Sequence, residues 1–359
     1  MANILKIVNN LLISKKPTYV VFFVTSICNA RCKMCFNWRN IDNAYKKKEL
    51  KLGEIKKIFK NFGKLQQLTV SGGEPTLRKD LPEILEFISH NNDVQVITLP
   101  TNGILPDKVY ETAKRSLELI KPSTHLRITL SVEGVDKKHD EIVQVKGAFK
   151  NIQKTYQKLL PLMKKCNNLK VNVGICYSSF NKNHIKETFK YCKKYFKKSH
   201  ILMSLVRGDT RDKKAKNITV EEYRDVADYY NKLFKSENRP LKIAVRSLSK
   251  MVKNQVATIM ETGKMPVTCH VYTKLIVIQS NGDVFPCEYL TKKLGNLKKS
   301  DYDINRILNM RKNKKINQSI KNRECVCTWE CALSNNIACD PRQYPTLAKQ
   351  IIKDNLLKD

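Results

Sequence analysis

Glycine and proline are scarce, at 12 each in 359 residues, and there is no Gly/Ser linker, low-complexity tract or internal repeat. That composition excludes collagenous and disordered chains. Acidic side chains are also few, 33 against 67 Lys and Arg, which leaves a formal charge of +34. Long hydrophobic runs are missing too. The longest, residues 19–28, is about half of the ~20 residues that span a bilayer, so no transmembrane helix is expected. The N-terminus lacks the ordered basic region, apolar stretch and small-residue cleavage site of a secretory signal, and the chain reads as cytoplasmic.

With 42% hydrophobic residues the chain can bury a sizeable core. Its twelve cysteines need another reason, because a reducing cytoplasm and a chain this long make a disulfide framework unnecessary. Metal or redox chemistry is the expectation. The charge says less. Of the basic residues 53 are Lys and only 14 Arg, whereas phosphate-reading surfaces favour Arg. Runs such as Lys46 to Lys48, Lys193 to Lys198 and Lys312 to Lys315 read first as solvated faces; nucleic acid, anionic lipid and an acidic protein are the alternative partners.

Six apolar, β-branched stretches recur at residues 19–25, 67–70, 94–99, 126–132, 169–176 and 201–206. Each is followed by apolar residues at three- and four-residue steps, predicting helices over 53–62, 81–90, 107–120, 148–164, 184–196 and 220–234. Such alternation predicts an α/β fold with a parallel sheet and its helices outside. Residues 241–264 read as a connecting helix. Beyond residue 265 the pattern changes to a hairpin around Ser280-Asn281-Gly282-Asp283, a helix over about 304–320 and a dense cysteine group, predicting a small appended module over 265–345 and a tail over 346–359. Residues 1–17, with Ile4, Leu5, Val8, Leu11 and Leu12, predict an amphipathic helix that closes one end of the barrel; contact with a membrane surface is the alternative.

Cys28, Cys32 and Cys35 follow directly on the first strand. Three thiolates this close can ligate three irons of a cubane cluster and leave the fourth iron open to a reactant. Zinc is the competitor, but its structural sites close with four ligands and use Cys-x2-Cys pairs. Ser71-Gly72-Gly73-Glu74-Pro75 ends the second strand, where two glycines admit a ligand's close approach and a carboxylate can receive an ammonium group. Thr101-Asn102-Gly103 ends the third strand and Ser131-Val132-Glu133-Gly134 the fourth. Arg207 follows the sixth and reads equally as a carboxylate grip or a surface salt bridge. All lie at strand carboxyl ends, where parallel barrels build their sites.

The triplet, in its Cys-x3-Cys-x-hydrophobic-Cys spacing, resembles the signature of the radical S-adenosylmethionine (SAM) superfamily over about residues 18–240. The resemblance implies a partial (β/α)6 TIM-like barrel, a [4Fe-4S] cluster with an open iron on Cys28, Cys32 and Cys35, and SAM bound there. It further implies adenine contact at Met34, a hold on the methionyl amino group at Gly72, Gly73 and Glu74, and further SAM contacts at Asn102, Ser131 and Glu133.

Behind the barrel, twelve residues separate Cys269 from Gly282 and four separate Gly282 from Cys287. This resembles the opening of the SPASM and twitch auxiliary iron–sulfur modules. The later run, Cys325-x-Cys327-x3-Cys331-x7-Cys339, departs from the full SPASM pattern and implies one auxiliary [4Fe-4S] cluster. Its ligands are expected among Cys269, Cys287, Cys325, Cys327 and Cys331, five candidates for four places, with zinc as the rival metal. Cys166, Cys176 and Cys192 read as isolated small hydrophobes.

The resemblance implies an oxidoreductase or modifying enzyme in which a 5′-deoxyadenosyl radical takes a hydrogen from a peptide or small metabolite. A flavodoxin- or ferredoxin-type protein would supply the electron. Radical modification of a lipid or RNA is the next reading, although no RNA-binding module is recognisable. A non-catalytic, zinc-containing nucleic-acid binder is the rival from another class; it explains the charge but not the strand-end motifs.

Overall fold

A computed structural model describes residues 14, 16–234 and 240–356. Most of the amphipathic segment expected over 1–17 lies outside the described residues. Six parallel strands run in sequence order: β1 Tyr19–Thr25, β2 Gln67–Gly72, β3 Val96–Thr101, β4 His125–Ser131, β5 Leu169–Tyr177 and β6 Ile201–Leu205. Between and after them lie α1 Trp38–Asp42, α2 Leu52–Lys60, α3 Leu81–Asn91, α4 Pro106–Leu119, α5 Lys137–Val143, α6 Ala148–Lys165, α7 Ile185–Tyr195 and α8 Val220–Leu233. Parallel neighbours in sequence order, joined by right-handed crossovers, carry every helix to one side, so the sheet curls with its other face left open.

Alternate strand positions record those two faces. Leu68, Val70, Ile97, Leu99, Ile128 and Val173 are buried in the main core. Their neighbours Thr69, Ser71, Thr98, Thr129, Ser131 and Ser204 line the other face and stay half-buried. A closed (β/α)8 barrel fills that side with branched side chains. Here that face is mixed, polar at Thr69, Ser71, Thr98, Thr129 and Ser131 but apolar at Val21 and Phe23 of β1 and Leu202 of β6.

α9, Pro240–Thr262, matches the expected connecting helix. The hairpin follows as β7 Leu275–Ile278 and β8 Asp283–Phe285, then β9 Gly295–Asn296. It does not stand apart from the barrel: β7 pairs in parallel with β1, and the sheet runs β6-β5-β4-β3-β2-β1-β7-β8-β9. Gly282 turns the hairpin at φ +88°, a left-handed conformation that side chains resist. The helix expected over 304–320 is broken at Met310 into α10 Ile304–Asn309 and α11 Arg311–Lys321. α12, Glu330–Cys339, follows the cysteine loop, and the expected tail is instead a helix, α13 Tyr344–Leu356, tied to α9 by the Asp354 carboxylate on Ser247 and Lys250. No helix among the described residues is long and apolar enough to cross a membrane.

Candidate active site and cysteine centres

β1 delivers the chain straight into the cysteine triplet, and two glycines fix where that loop lies. A Cβ on Gly72 would stand 2.1 Å from Thr25 O, and one on Gly73 2.0 Å from Ile27 O. Only glycine therefore lets the end of β2 lie against residues 25–27, where Gly73 N–H donates to Thr25 O and Glu74 N–H to Ile27 O, each at 2.8 Å. The glycines thus admit the cysteine loop's own backbone. The rest of the loop is pinned from above. Lys33 N–H donates to Ile142 O at 3.0 Å, Arg211 N–H to Cys35 O at 3.0 Å and Asp212 N–H to Lys33 O at 2.8 Å. Arg211 also forks onto both oxygens of Asp42 at 2.8 Å.

The three thiols feel one another. Burial pushes the Cys32 thiol well above its ordinary range, with Cys35, Glu133 and Cys28 adding to the shift. Burial likewise raises Cys28, and takes Cys35 to about 11. Without a positive centre these groups keep their protons; a cation among them reverses that and releases the protons. Three converging, partly buried thiols on a backbone held at both ends fit a cluster with three protein ligands.

The expected SAM-contacting residues divide. Glu74 is 2% exposed, and its carboxylate accepts Thr76 Oγ1 at 2.6 Å, Thr101 Oγ1 at 2.7 Å and Asn102 N–H at 2.8 Å. It braces the end of β2 against the end of β3. Asn102 extends the brace, its Nδ2 donating to Asn29 Oδ1 inside the cysteine loop at 2.7 Å. Glu133 is buried and accepts Cys176 N–H at 2.9 Å, and burial pushes its carboxyl up to about 8. Met34 is buried in the main core, while Ser131 lies half-buried on the concave face. Asn29, Arg78 and His139 belong to the same frame and escaped sequence reasoning. Arg78 donates to Val24 O at 2.6 Å and Leu50 O at 2.8 Å, and backbone partners so distant in sequence leave no spacing signal.

Behind the barrel, Cys269, Cys287, Cys325 and Cys327 line one cavity of about 100 Å³ beside Tyr289 and Trp329. Cys287 and Cys327 are pushed up to about 12, chiefly by burial, with Cys269 contributing to both shifts. Among the described residues no three His, Cys, Asp or Glu side chains are grouped to hold a single ion. The thiols surround a volume large enough for several atoms, which suits a cluster. Cys331 stands elsewhere. Its charged neighbours are Arg207, Glu288 and Glu330, and its side chain is exposed. Arg207 is no surface salt bridge: it pairs with Glu288 at 2.7 Å, the two side chains 19% and 7% exposed, and stacks over Phe36 at 4.6 Å. Cys192 is fully buried in the core as expected, and Cys176 and Cys166 are half-buried at its margin.

Residues 22–219 match the profile of the radical SAM superfamily, and residues 269–332 match that of the SPASM iron-sulfur cluster-binding domain. The first match spans more than half of the chain, which therefore belongs to the radical SAM superfamily. The cofactors of that class are a [4Fe-4S] cluster and SAM, and the second domain is one that binds auxiliary iron–sulfur clusters. Among curated relatives, the GTP 3′,8-cyclase of Haemophilus ducreyi is 30% identical over 142 residues, 39% of this chain and 40% of that protein. The probable GTP 3′,8-cyclase of Methanococcus aeolicus is 36% identical over 117 residues, 30% of this chain and 39% of that protein. The match thus spans about two-fifths of each of these relatives. Among solved structures, native anSMEcpe with bound AdoMet and Cp18Cys peptide has a TM-score of 0.59 at 16% identity, covering 95% of this chain and 100% of that one. Streptococcus suis SuiB bound to precursor peptide SuiA has a TM-score of 0.57 at 17% identity, covering 93% of this chain and 73% of that one. At such identities the likeness shows the shared fold.

Proposed function

We propose that this protein is a radical SAM enzyme that oxidises or otherwise modifies a peptide, with a small metabolite as the next substrate class. Cys28, Cys32 and Cys35 hold the [4Fe-4S] cluster with the open iron. Met34, Gly72, Gly73, Glu74, Asn102, Ser131 and Glu133 frame the SAM site, the glycines and the two buried carboxylates by fixing its walls. Cys269, Cys287, Cys325 and Cys327 hold one auxiliary [4Fe-4S] cluster, and Cys331 stands outside that set. When bound, the open cluster and SAM supply a 5′-deoxyadenosyl radical that removes a hydrogen atom from an unactivated carbon. The chain's own work is to orient the reactants at the strand ends, to exclude water there, and to hold the substrate along the concave face.

The observation that carries this reading is the pairing of a three-thiol loop at the barrel mouth with a separate cavity lined by four thiols. A peptide is favoured because the likeness to the two peptide-bound structures runs through barrel and module alike, whereas the match to the cyclases covers 142 residues or fewer. A flavodoxin- or ferredoxin-type protein donates the electron. Anaerobic reconstitution followed by iron and sulfide analysis and a dithionite-driven assay for 5′-deoxyadenosine tests the reading. Substituting Cys28, Cys32 and Cys35 with Ala abolishes 5′-deoxyadenosine, while substituting Cys269 and Cys287 removes only the second cluster's iron. A protein that binds zinc alone, or a cluster that never cleaves SAM, sinks it.

A further inference from the structure

Four thiols line the auxiliary cavity, and the groups that face their sulfurs differ in kind. Cys287 Sγ accepts Leu290 N–H at 3.3 Å, and Trp329 N–H faces Cys327; both donors are backbone amides. At Cys269 a side chain takes part. Asn336 lies on α12 four residues after Ala332, hence on the same face of the helix as this residue of the cavity wall. It is 0% exposed, and its Oδ1 accepts His270 N–H, the amide next to Cys269, at 2.8 Å. A backbone N–H can be met only by an acceptor, so the other end of the side-chain amide is fixed as Nδ2. That Nδ2 has no hydrogen-bond partner among the described residues. Buried donors are nearly always paired, and one left over beside a cofactor cavity points to a partner that arrives with the cofactor. Burial raises the Cys269 thiol, whereas Val271 N–H and the Asn336 side chain oppose the shift. Only a donor acts in that direction, so Nδ2 is the end turned to the sulfur, which it approaches without closing a hydrogen bond to the neutral thiol.

We infer that Asn336 Nδ2–H donates a hydrogen bond to the Cys269 thiolate of the auxiliary cluster and raises that cluster's reduction potential. The inference rests on the proposed four-thiolate cluster of Cys269, Cys287, Cys325 and Cys327. A cluster that gains an electron gains negative charge, and a hydrogen bond to a ligand sulfur stabilises the reduced form more than the oxidised one. Asn336 acts through Cys269 and touches no reactant. It is a positioning residue that makes the auxiliary cluster a stronger electron acceptor.

The test is a redox titration of the full reconstituted chain with Cys28, Cys32 and Cys35 replaced by Ala, so that the auxiliary cluster alone titrates, followed by the paramagnetic resonance of its reduced form. Asn336→Leu keeps the iron and sulfide content and lowers the midpoint by up to about 59 mV, the equivalent of a tenfold change in the oxidised-to-reduced ratio for one electron. Asn336→Asp still accepts from His270 N–H but offers no donor and adds negative charge, so it lowers the midpoint further. Asn335→Leu, at the neighbouring position whose Oδ1 lies 3.7 Å from Cys339 Sγ, leaves the midpoint unchanged. These shifts are read without SAM or substrate. Unaltered potentials in Asn336→Leu and Asn336→Asp, or a shift in Asn335→Leu as large as that in Asn336→Leu, overturn the inference and leave the cluster in place. Should Asn336→Leu fail to hold a cluster, Asn336→Asp decides alone. Absence of a cluster before Asn336 is changed removes the four-thiolate centre along with the inference, and the iron content tells that result apart.

Discussion

His139 sits behind the mouth of the site, 1% exposed, with Nδ1 accepting Glu133 N–H at 3.0 Å and no hydrogen-bond partner at Nε2. Burial lowers its pKa from 6.5 to about 4, with Asp140 opposing the shift. The folded value is depressed, so between these two pH values the unfolded chain takes up a proton that the native one refuses. Stability is therefore full above about 6.5 and falls as pH drops toward about 4, by up to about 3 kcal/mol. Urea unfolding of the protein and of His139→Gln across this range checks it: the variant has a flatter slope, and equal slopes would show that His139 does not set the dependence. At this scale the sequence discloses residues whose type carries the chemistry, such as Cys28, Cys32, Cys35 and the Gly72–Gly73 pair. It does not disclose how Glu74 and Glu133 are used. Their carboxylates are fixed by Thr101, Asn102 and Cys176, which come from other strands, and a single sequence does not pair distant positions.

Among elements, the alternation of apolar strand and amphipathic helix placed all six barrel strands within two residues of their observed ends, because each buries one face under the outer helices and its pattern must show it. The same patterning could not show that β7 would pair with β1, since a short buried strand has no periodicity that names its neighbour. Nor could it show how the open edge at β6 is joined to the cysteine module. Two side-chain links do this: Leu205 N–H donates to Glu330 Oε1 at 3.1 Å, and Arg207 pairs with Glu288. Burial opposes the Arg207 charge, but Glu288 and Cys331 outweigh it. Glu288→Ala leaves that guanidinium buried without its partner and costs about 3–5 kcal/mol. Adding Arg207→Met recovers part of the loss, because an apolar pair carries no desolvation cost. Chemical denaturation of both singles and the double gives the coupling, and strictly additive losses would show that the two residues do not act as a link.

At the scale of the whole molecule, 67 basic against 33 acidic side chains give a formal charge of +34. A field of that size shapes encounters. It draws acidic proteins toward the surface and accelerates their association by one to three orders of magnitude at low salt, an effect that fades as the Debye length shortens. An acidic flavodoxin should therefore reduce the cluster steeply more slowly as ionic strength rises from about 0.05 to about 0.3 M. Reduced methyl viologen, a cation repelled by the same field, should show the opposite slope. Stopped-flow reduction followed at the cluster's visible absorbance compares the two reductants. Because the slopes differ in sign, a general salt effect on the protein cannot mimic the result, and a flavodoxin rate indifferent to salt would leave the charge without a part in electron delivery.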